Sequence, residues 1–388
     1  MRTALIALLC GLLGAGVALG ISVGAGLVGS STTTVERVVQ DAAAGTAPPA
    51  AAASTTGGGF DAARVYAERS PGVVTVVAYI GGAGSQGSGF VVDRAGSILT
   101  NAHVITNAGE TSGAVRGASS VYVEFADGDR VPARIVGWDV FDDVGVLRVD
   151  PAAHALVPVP LGRSAAAVVG EPVAAIGSPL GNADSLAVGV VSAVHRSIAA
   201  LTARFDLTDA IQTDAPLAHG SSGGPLLDGR GRVIGINAQI RSDQSGSSGI
   251  GFAVPIDSAR RSLHELLTKG RVAYAYAGIQ AQDLTPSLAE HLHLDVRRGA
   301  LVDHVVAGGP ADRAGIRGGG RQESFLGEAV VVGGDVIVRV GSRRVADAGD
   351  LVRVVTNDLR PNTTVRVQLV RGGRTRTLAL RLAERPAR

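Results

Sequence analysis

The chain holds one cysteine, Cys10, so it can form no intrachain disulfide and no cysteine-based metal site. Aromatic residues make up only 3 % and the formal net charge is +2. No Lys/Arg cluster is interleaved with aromatics, which argues against nucleic acid as a partner. Nothing in the sequence calls for a metal or another cofactor. Long helical patterns are also scarce. What is present is 54 glycines and 46 % apolar residues in 388, many of them in short Val/Ile runs. That composition favours β-structure with frequent turns. The length predicts two or three domains.

One uncharged apolar run stands apart, residues 4–29. As a helix it rises about 39 Å, enough to cross a hydrocarbon core. Arg2 precedes it and the first acidic residue after it is Glu36. Residues 1–29 therefore read as a signal anchor or transmembrane helix, preferred over a cleaved signal peptide because the apolar region is long. The expected location is the cell membrane, single-pass, with the remainder outside the cytoplasm. Leu8 and Leu9 before Cys10 are too bulky for a lipidation signal. Residues 30–60, rich in Ser, Thr, Ala, Pro and Gly, read as a flexible linker.

From there the chain alternates short strands and turns. A helix is expected over residues 60–70, stopped by Pro71. Strands are expected over 73–80, 89–92, 97–100, 120–125, 131–139 and 144–149. A second series covers 172–176, 186–193, 210–213, 225–227, 233–240 and 251–254. Turn signals include Ala83-Gly84 and Asp127-Gly128. A dozen strands without intervening helices point to a barrel or sandwich. A helix over 256–268, ending at Lys269-Gly270, closes a domain spanning 61–270.

Chemistry concentrates at Gly220-Ser221-Ser222-Gly223-Gly224. A glycine-rich turn can hold a hydroxyl outward beside free backbone amides, although most Gly-Ser loops are plain turns. A serine nucleophile needs a base and a group that orients the base. His103 lies at the end of an apolar strand and Asp143 just before another. The pattern G-x-S-x-G also fits α/β-hydrolases, but those place a helix after the serine and Asp and His downstream of it. Here Pro225 and a short apolar run follow, and His103 and Asp143 lie upstream.

The order His103, Asp143, Ser222 and the contexts TNAHV, DDVGVL and GSSGGPL are similar to those of chymotrypsin-like proteases. Further stretches support one family: Gly87-Ser88-Gly89-Phe90-Val91-Val92, Ile176-Gly177-Ser178-Pro179-Leu180-Gly181, Gly189-Val190-Val191-Ser192-Ala193, Ile211-Gln212-Thr213-Asp214-Ala215 and Gly251-Phe252-Ala253-Val254-Pro255-Ile256-Asp257. From about Pro71 to Asp257 the chain resembles the trypsin-like core of the HtrA/Deg serine proteases. The resemblance implies a chymotrypsin-like double β-barrel. It implies that Ser222 attacks, His103 relays the proton, Asp143 orients His103, and the amides of Gly220 and Ser222 form the oxyanion hole. The family pattern has asparagine before the nucleophile and proline two residues further back. This chain has Ser221 and His219 there. The specificity pocket is expected from Pro216, Leu217, Ala218, Ile236, Asn237 and Ala238, apolar and small.

After Arg271 the pattern changes. Tyr276-Ala277-Gly278-Ile279 resembles the carboxylate-binding loop of PDZ domains, followed by Gly309-Pro310-Ala311-Asp312 and Gly333-Gly334-Asp335. Residues 271–388 are thus expected to form an α+β PDZ domain that takes peptide C-termini, with helix 348–359 beside the groove. Residues 317–332 read as an insertion without an assigned role. The fold class expected is mainly β: the double barrel, then the PDZ domain, with an N-terminal transmembrane helix. The function expected is an exported, membrane-tethered serine endopeptidase acting on misfolded or damaged envelope proteins, assembled as a homotrimer. The competing class is a non-cleaving chaperone or PDZ scaffold on an inactive protease fold.

Overall fold

The computed structural model describes residues 59–108, 114–178, 185–198, 202, 207–218, 220–238 and 250–386. The apolar run 4–29 and the linker up to residue 58 lie outside the described residues, as does His219. Among the described residues no helix is long and apolar enough to cross a membrane.

Helix α1 (Ala62–Arg69) opens the described chain, capped by the Asp61 side chain on the Arg64 amide. Six strands then close a barrel: β1 (Val73–Ile80), β2 (Ala83–Val91), β3 (Ser97–Thr100), β4 (Ser120–Glu124), β5 (Arg130–Asp139) and β6 (Val144–Val149), in the order β1-β2-β3-β6-β5-β4. Between β3 and β4 lies a single helical turn, α2 (Ala102–Ile105). The β1–β2 turn is Gly81-Gly82, at φ 57° and 91°, so Ala83-Gly84 already belongs to β2. Two successive positive φ values favour glycine at both places, and the Gly81-Gly82 pair meets that demand. The connection is thus two residues long, and no extended loop projects there.

A second barrel follows: β7 (Pro172–Gly177), β8 (Ser185–Ile198), β9 (Leu207–Thr213), β10 (Pro225–Leu227), β11 (Val233–Ala238) and β12 (Gly251–Pro255), ordered β10-β11-β12-β9-β8-β7. The strands alternate between two apolar faces. In the first barrel Val76, Ile98, Val123 and Leu147 form one cluster, capped by Val104 and Ile105 of α2. In the second, Val173, Ile211, Leu226 and Ile234 form another. The alternate residues Phe90, Leu99 and Val146 meet Ile176, Leu227 and Val254 in a cluster shared by both barrels. Both faces of these strands are therefore apolar, and burying each large aliphatic contributes about 1.5–3 kcal/mol. Helix α3 (Ile256–Lys269) adds Ile256, Ala259 and Leu266 to the shared cluster and ends at Gly270, φ 72°.

The C-terminal region is a sheet with helices on both faces. Its strands are β13 (Ala275–Tyr276), β14 (Ile279–Leu284), β15 (Gly299–Val305), β16 (Arg321–Phe325), β17 (Glu328–Val332), β18 (Val336–Val340), β19 (Arg343–Arg344), β20 (Thr364–Arg371), β21 (Arg374–Arg381) and β22 (Ala383–Glu384). The main sheet runs β14-β15-β18-β20-β21, with β14 at its edge. Helices α4 (Pro286–His291) and α5 (Pro310–Arg313) precede α6 (Ala348–Arg353). Helix α6 puts Leu351 on one face of the sheet with Ile279 and Ala281. The insertion at 317–332 contains the β16–β17 hairpin, whose Phe325, Val330 and Val332 join Leu284 and Leu288 in a separate apolar cluster. It supplies a second core to the domain.

The helix expected over 348–359 divides in two. After Arg353 the backbone continues as a π-helix, Val354–Asp358. There the Thr356 carbonyl accepts from Arg261 Nη1 of α3 at 2.6 Å. A side chain that inserts into the i→i−4 ladder is one of the recognised causes of a local departure from a straight α-helix. Arg261 also pairs with Asp142 at 2.9 Å and lies over the Tyr274 ring. The Tyr274 hydroxyl donates to Asp139, which also accepts from Ser262 Oγ at 2.7 Å. Tyr274 and Asp139 are both buried. Tyr274→Phe leaves this buried carboxylate one donor short. We expect it to destabilise the folded chain by about 1–3 kcal/mol, read as a lower midpoint of thermal unfolding.

Candidate active site

The site forms where the two barrels meet. His103 sits on α2, directly after β3, so the barrel wall sets its direction. Its main-chain N–H donates to Asp143 Oδ1 at 3.0 Å and its Nδ1 lies 2.7 Å from Asp143 Oδ2. One carboxylate thus grips the residue at two points and fixes the ring. Asp143 itself has φ 51°, a left-handed conformation that Asp tolerates better than most residues. Its carbonyl is held by Asn101 Nδ2 at 2.8 Å and by the Ala102 amide at 3.2 Å. Asn101 is wholly buried. Asn101 stands within the TNAHV stretch, but nothing in that stretch marks it as a partner of Asp143.

The Ser222 loop is built from close approaches. The Ser222 carbonyl accepts from the Ser88 amide at 2.7 Å and the Gly223 amide donates to Asn237 O at 2.9 Å. Gly220 and Gly223 have φ 94° and 90°. A methyl on Gly223 would stand 2.1 Å from the Ser88 carbonyl oxygen. A methyl on Gly87 would meet both the Ser222 carbonyl, at 2.9 Å, and the Val104 side chain, at 2.7 Å. The serine loop therefore lies against the turn that carries His103. No hydrogen bond joins Ser222 Oγ to the His103 ring among the described residues. Such bonds are often long before substrate binds and tighten in the complex. Among the described residues the amides of Gly220 and Ser222 donate to no main-chain acceptor. They are available to an oxyanion.

The other predicted residues separate. Pro216 and Ala218 are exposed. Leu217 is half-buried against the cluster inside the second barrel and faces Gly251. Ile236 and Ala238 point instead into the cluster between the barrels, and Ile236 is wholly buried. Asn237 donates through Nδ2 to Pro225 O at 3.2 Å. In the C-terminal domain the Ala277 and Gly278 carbonyls accept from the amides of Ala311 and Val306. Gly278 has φ 72°, and among the described residues neither the Ala277 nor the Gly278 amide donates to a main-chain acceptor. Tyr276 ends β13 and Ile279 begins the edge strand β14. Among the described residues no group of three or more His, Cys, Asp or Glu side chains could hold a metal.

Electrostatics set the proton chemistry. Burial alone lowers the basicity of His103, but the Asp143 charge and hydrogen bond together raise its pKa above the ordinary 6.5. A general base must be neutral. A raised pKa therefore moves the acid limb of activity upward. We expect kcat/KM to fall about tenfold per pH unit below a midpoint above 6.5, checked by a pH profile on a fluorogenic peptide.

Comparison with known proteins follows the same outline. Residues 87–236 match the trypsin-like peptidase domain and residues 275–382 the PDZ domain. HhoA of Synechocystis sp., named as a serine protease, is 36 % identical over 307 residues, covering 77 % of this chain and 71 % of the relative. Protease Do-like 1 (chloroplastic) of Arabidopsis thaliana is 37 % identical, over 77 % of this chain and 64 % of its own length. A DegP-like periplasmic serine endoprotease of Hahella chejuensis is 35 % identical, over 78 % of this chain and 58 % of its own. The chain thus spans less than two thirds of the latter two. Among solved structures, the HtrA-type protease AlgW with tripeptide aligns at a TM-score of 0.68 and 31 % identity, covering 84 % of this chain and 98 % of that one. The serine endoprotease from Yersinia pestis aligns at 0.59 and 28 % identity, covering 84 % and 99 %.

Proposed function

The chain belongs to the HtrA/Deg family of trypsin-like serine proteases with a PDZ domain and is a serine endopeptidase; from that premise we propose that Ser222, His103 and Asp143 carry out acyl transfer in an exported, membrane-tethered enzyme acting on misfolded or damaged envelope proteins. Ser222 Oγ attacks the scissile carbonyl while His103 Nε2 takes its proton. The carbonyl oxygen gains the negative charge and is met by the Gly220 and Ser222 amides. The C–N bond then breaks, and His103 returns the proton to the leaving amine. Water attacks the acyl-enzyme by the same relay and releases Ser222. Asp143 keeps Nδ1 protonated throughout and stabilises the imidazolium.

The observation that carries this reading is the double grip of Asp143 on His103 beside a serine loop in which, among the described residues, the Gly220 and Ser222 amides donate to no main-chain acceptor. Labelling with a fluorophosphonate tests it: the wild-type chain takes one adduct and Ser222→Ala takes none. Absence of any adduct, also with C-terminal peptides added, would favour the scaffold reading.

The PDZ domain captures peptide C-termini. Its support, among the described residues, is the unpaired edge of β14 and the Ala277 and Gly278 amides, which donate to no main-chain acceptor. A peptide would add as a strand beside β14 with its carboxylate on those amides. Membrane attachment is assigned to residues 4–29, and the assembly proposed is a homotrimer. Substrate preference follows from the residues before the serine. No acid stands at Pro216, and Leu217 offers an apolar wall. We expect cleavage after small or medium aliphatic residues, checked by mass spectrometry of a digested peptide library. A profile dominated by Arg or Lys before the cut would contradict it.

A further inference from the structure

We propose that Ser88 is a positioning residue for the oxyanion hole: its buried hydroxyl holds the Gly220 carbonyl and thereby aims the Gly220 and Ser222 amides. The inference rests on the reading of Ser222 as nucleophile and extends it to a residue outside the triad. Ser88 lies on β2, wholly buried. Its Oγ donates to Gly220 O at 2.6 Å and accepts from the Ser178 amide at 2.9 Å. Its own amide donates to Ser222 O at 2.7 Å, and its carbonyl accepts from Thr100 Oγ1 at 2.7 Å. Four bonds thus join one serine to β3, to the segment after β7, and to both ends of the Gly220–Ser222 stretch.

The placement follows from strand geometry. One edge of β2 pairs with β1, Thr75 opposite Ser88. On the other edge β3 pairs only with Phe90 and Val91. Before Gly89 that edge is left to the serine loop, which supplies the Ser222 carbonyl in place of a strand. Three glycines pack around Ser88, one of them against its hydroxyl. A methyl on Gly177 would lie 3.1 Å from Ser88 Oγ and 2.9 Å from Ser221 Cα. One on Gly224 would lie 3.2 Å from Ser88 Cβ and 2.2 Å from Ile176 O. One on Gly223 would lie 2.1 Å from Ser88 O. A hydroxyl at this place must donate to one side and accept from the other, which alanine cannot do.

The link to catalysis is torsional. Gly220, at φ 94°, has little steric restraint of its own. Its carbonyl shares a peptide plane with the Ser221 amide, which donates to Ala218 O at 3.0 Å. Held at both ends, that plane is the fixed reference from which the flanking Gly220 and Ser222 amides are aimed, and a turn of the plane would carry them off the oxyanion. Donors held in advance are what an oxyanion hole supplies; loss of one costs roughly 100- to 1,000-fold in kcat. Loosening one costs less.

The test uses the full chain. Ser88→Ala should lower kcat on a fluorogenic peptide roughly 10- to 100-fold, less than removal of a donor, with KM nearly unchanged. A readout specific to the hole is the ionisation of the hemiketal formed with a valyl trifluoromethyl ketone peptide, followed by carbon-13 NMR. Ser88→Ala should raise that pKa by about one unit, the same tenfold loss of oxyanion stabilisation. Ser88→Cys, which keeps a weak donor and acceptor, should recover part of both. Wild-type kcat and hemiketal titration in Ser88→Ala overturn the proposal. So does a loss of kcat with an unmoved hemiketal pKa, which marks a merely structural role. If Ser88→Ala does not fold, Ser88→Cys carries the test, and wild-type values there overturn it. Failure of the nucleophile reading looks different: the wild-type chain then forms no adduct at Ser222.

Discussion

Asp143→Asn should lower kcat by roughly 10⁴-fold while the chain stays folded. The reason lies in the two donors that Asp143 meets. The His103 amide donates to Oδ1, and Nδ1 faces Oδ2. A carboxylate accepts at both oxygens. An amide accepts at only one, and its NH₂ must face the other. If the amide oxygen keeps the main-chain N–H, the NH₂ faces Nδ1. The ring then adopts the tautomer with its proton on Nε2, toward Ser222, and cannot take the serine proton. If the amide turns over, its oxygen can accept from Nδ1–H, but two donors then collide at the main chain, which disfavours that arrangement. The first arrangement prevails, and in it the base is lost. The Coulombic support of His103 goes too, so its pKa drops toward the value that burial dictates. The check is single-turnover kinetics beside a ring-proton NMR titration of His103. A loss below about tenfold would mean that Asp143 does not set the tautomer.

Ser222→Ala should have a larger effect, a fall in kcat of about 10⁶-fold, since on the proposed reading the remaining members of such a unit do little without the nucleophile. Only the hydroxyl is removed. The loop bonds at Ser222 run through its carbonyl, accepted from the Ser88 amide, and its neighbours Gly223 and Gly224 keep theirs. Folding and peptide affinity should therefore persist. Hydrolysis of casein by purified chain, with binding of a C-terminal peptide measured in parallel, separates the two. Residual turnover within a hundredfold of wild type would point to a different nucleophile.

The barrels were readable in the sequence because short Val/Ile strands with Gly turns admit few other folds, and most expected strands lie within two residues of those observed. Where both faces of a strand are apolar, as at 97–100, periodicity cannot say which face meets which core. The division into clusters inside and between the barrels appears only in the structure. Ile236 illustrates the cost: its place near the serine in space was readable, its burial away from the cleft was not. The hairpin at 321–332 escaped for another reason. Its turn is Leu326-Gly327 at φ 53° and 87°, and leucine is not a turn signal. The π-helical stretch after Arg353 is bonded at Thr356 by Arg261, 95 positions before Thr356, a contact no local pattern encodes. His103, Asp143 and Ser222 could be picked out because their order and flanking residues are specific. Ser88 and Asn101 stand inside quoted motifs, but their buried hydrogen bonds to residues 42 to 132 positions away are not encoded in those stretches.

The central claim, that Ser222 forms the acyl bond, is most directly tested by intact and peptide-level mass spectrometry of the chain after reaction with a fluorophosphonate. One adduct, mapped to the peptide bearing Ser222 and lost in Ser222→Ala and on prior denaturation, is the predicted result. An adduct on another residue, or equal labelling of Ser222→Ala, would contradict the account.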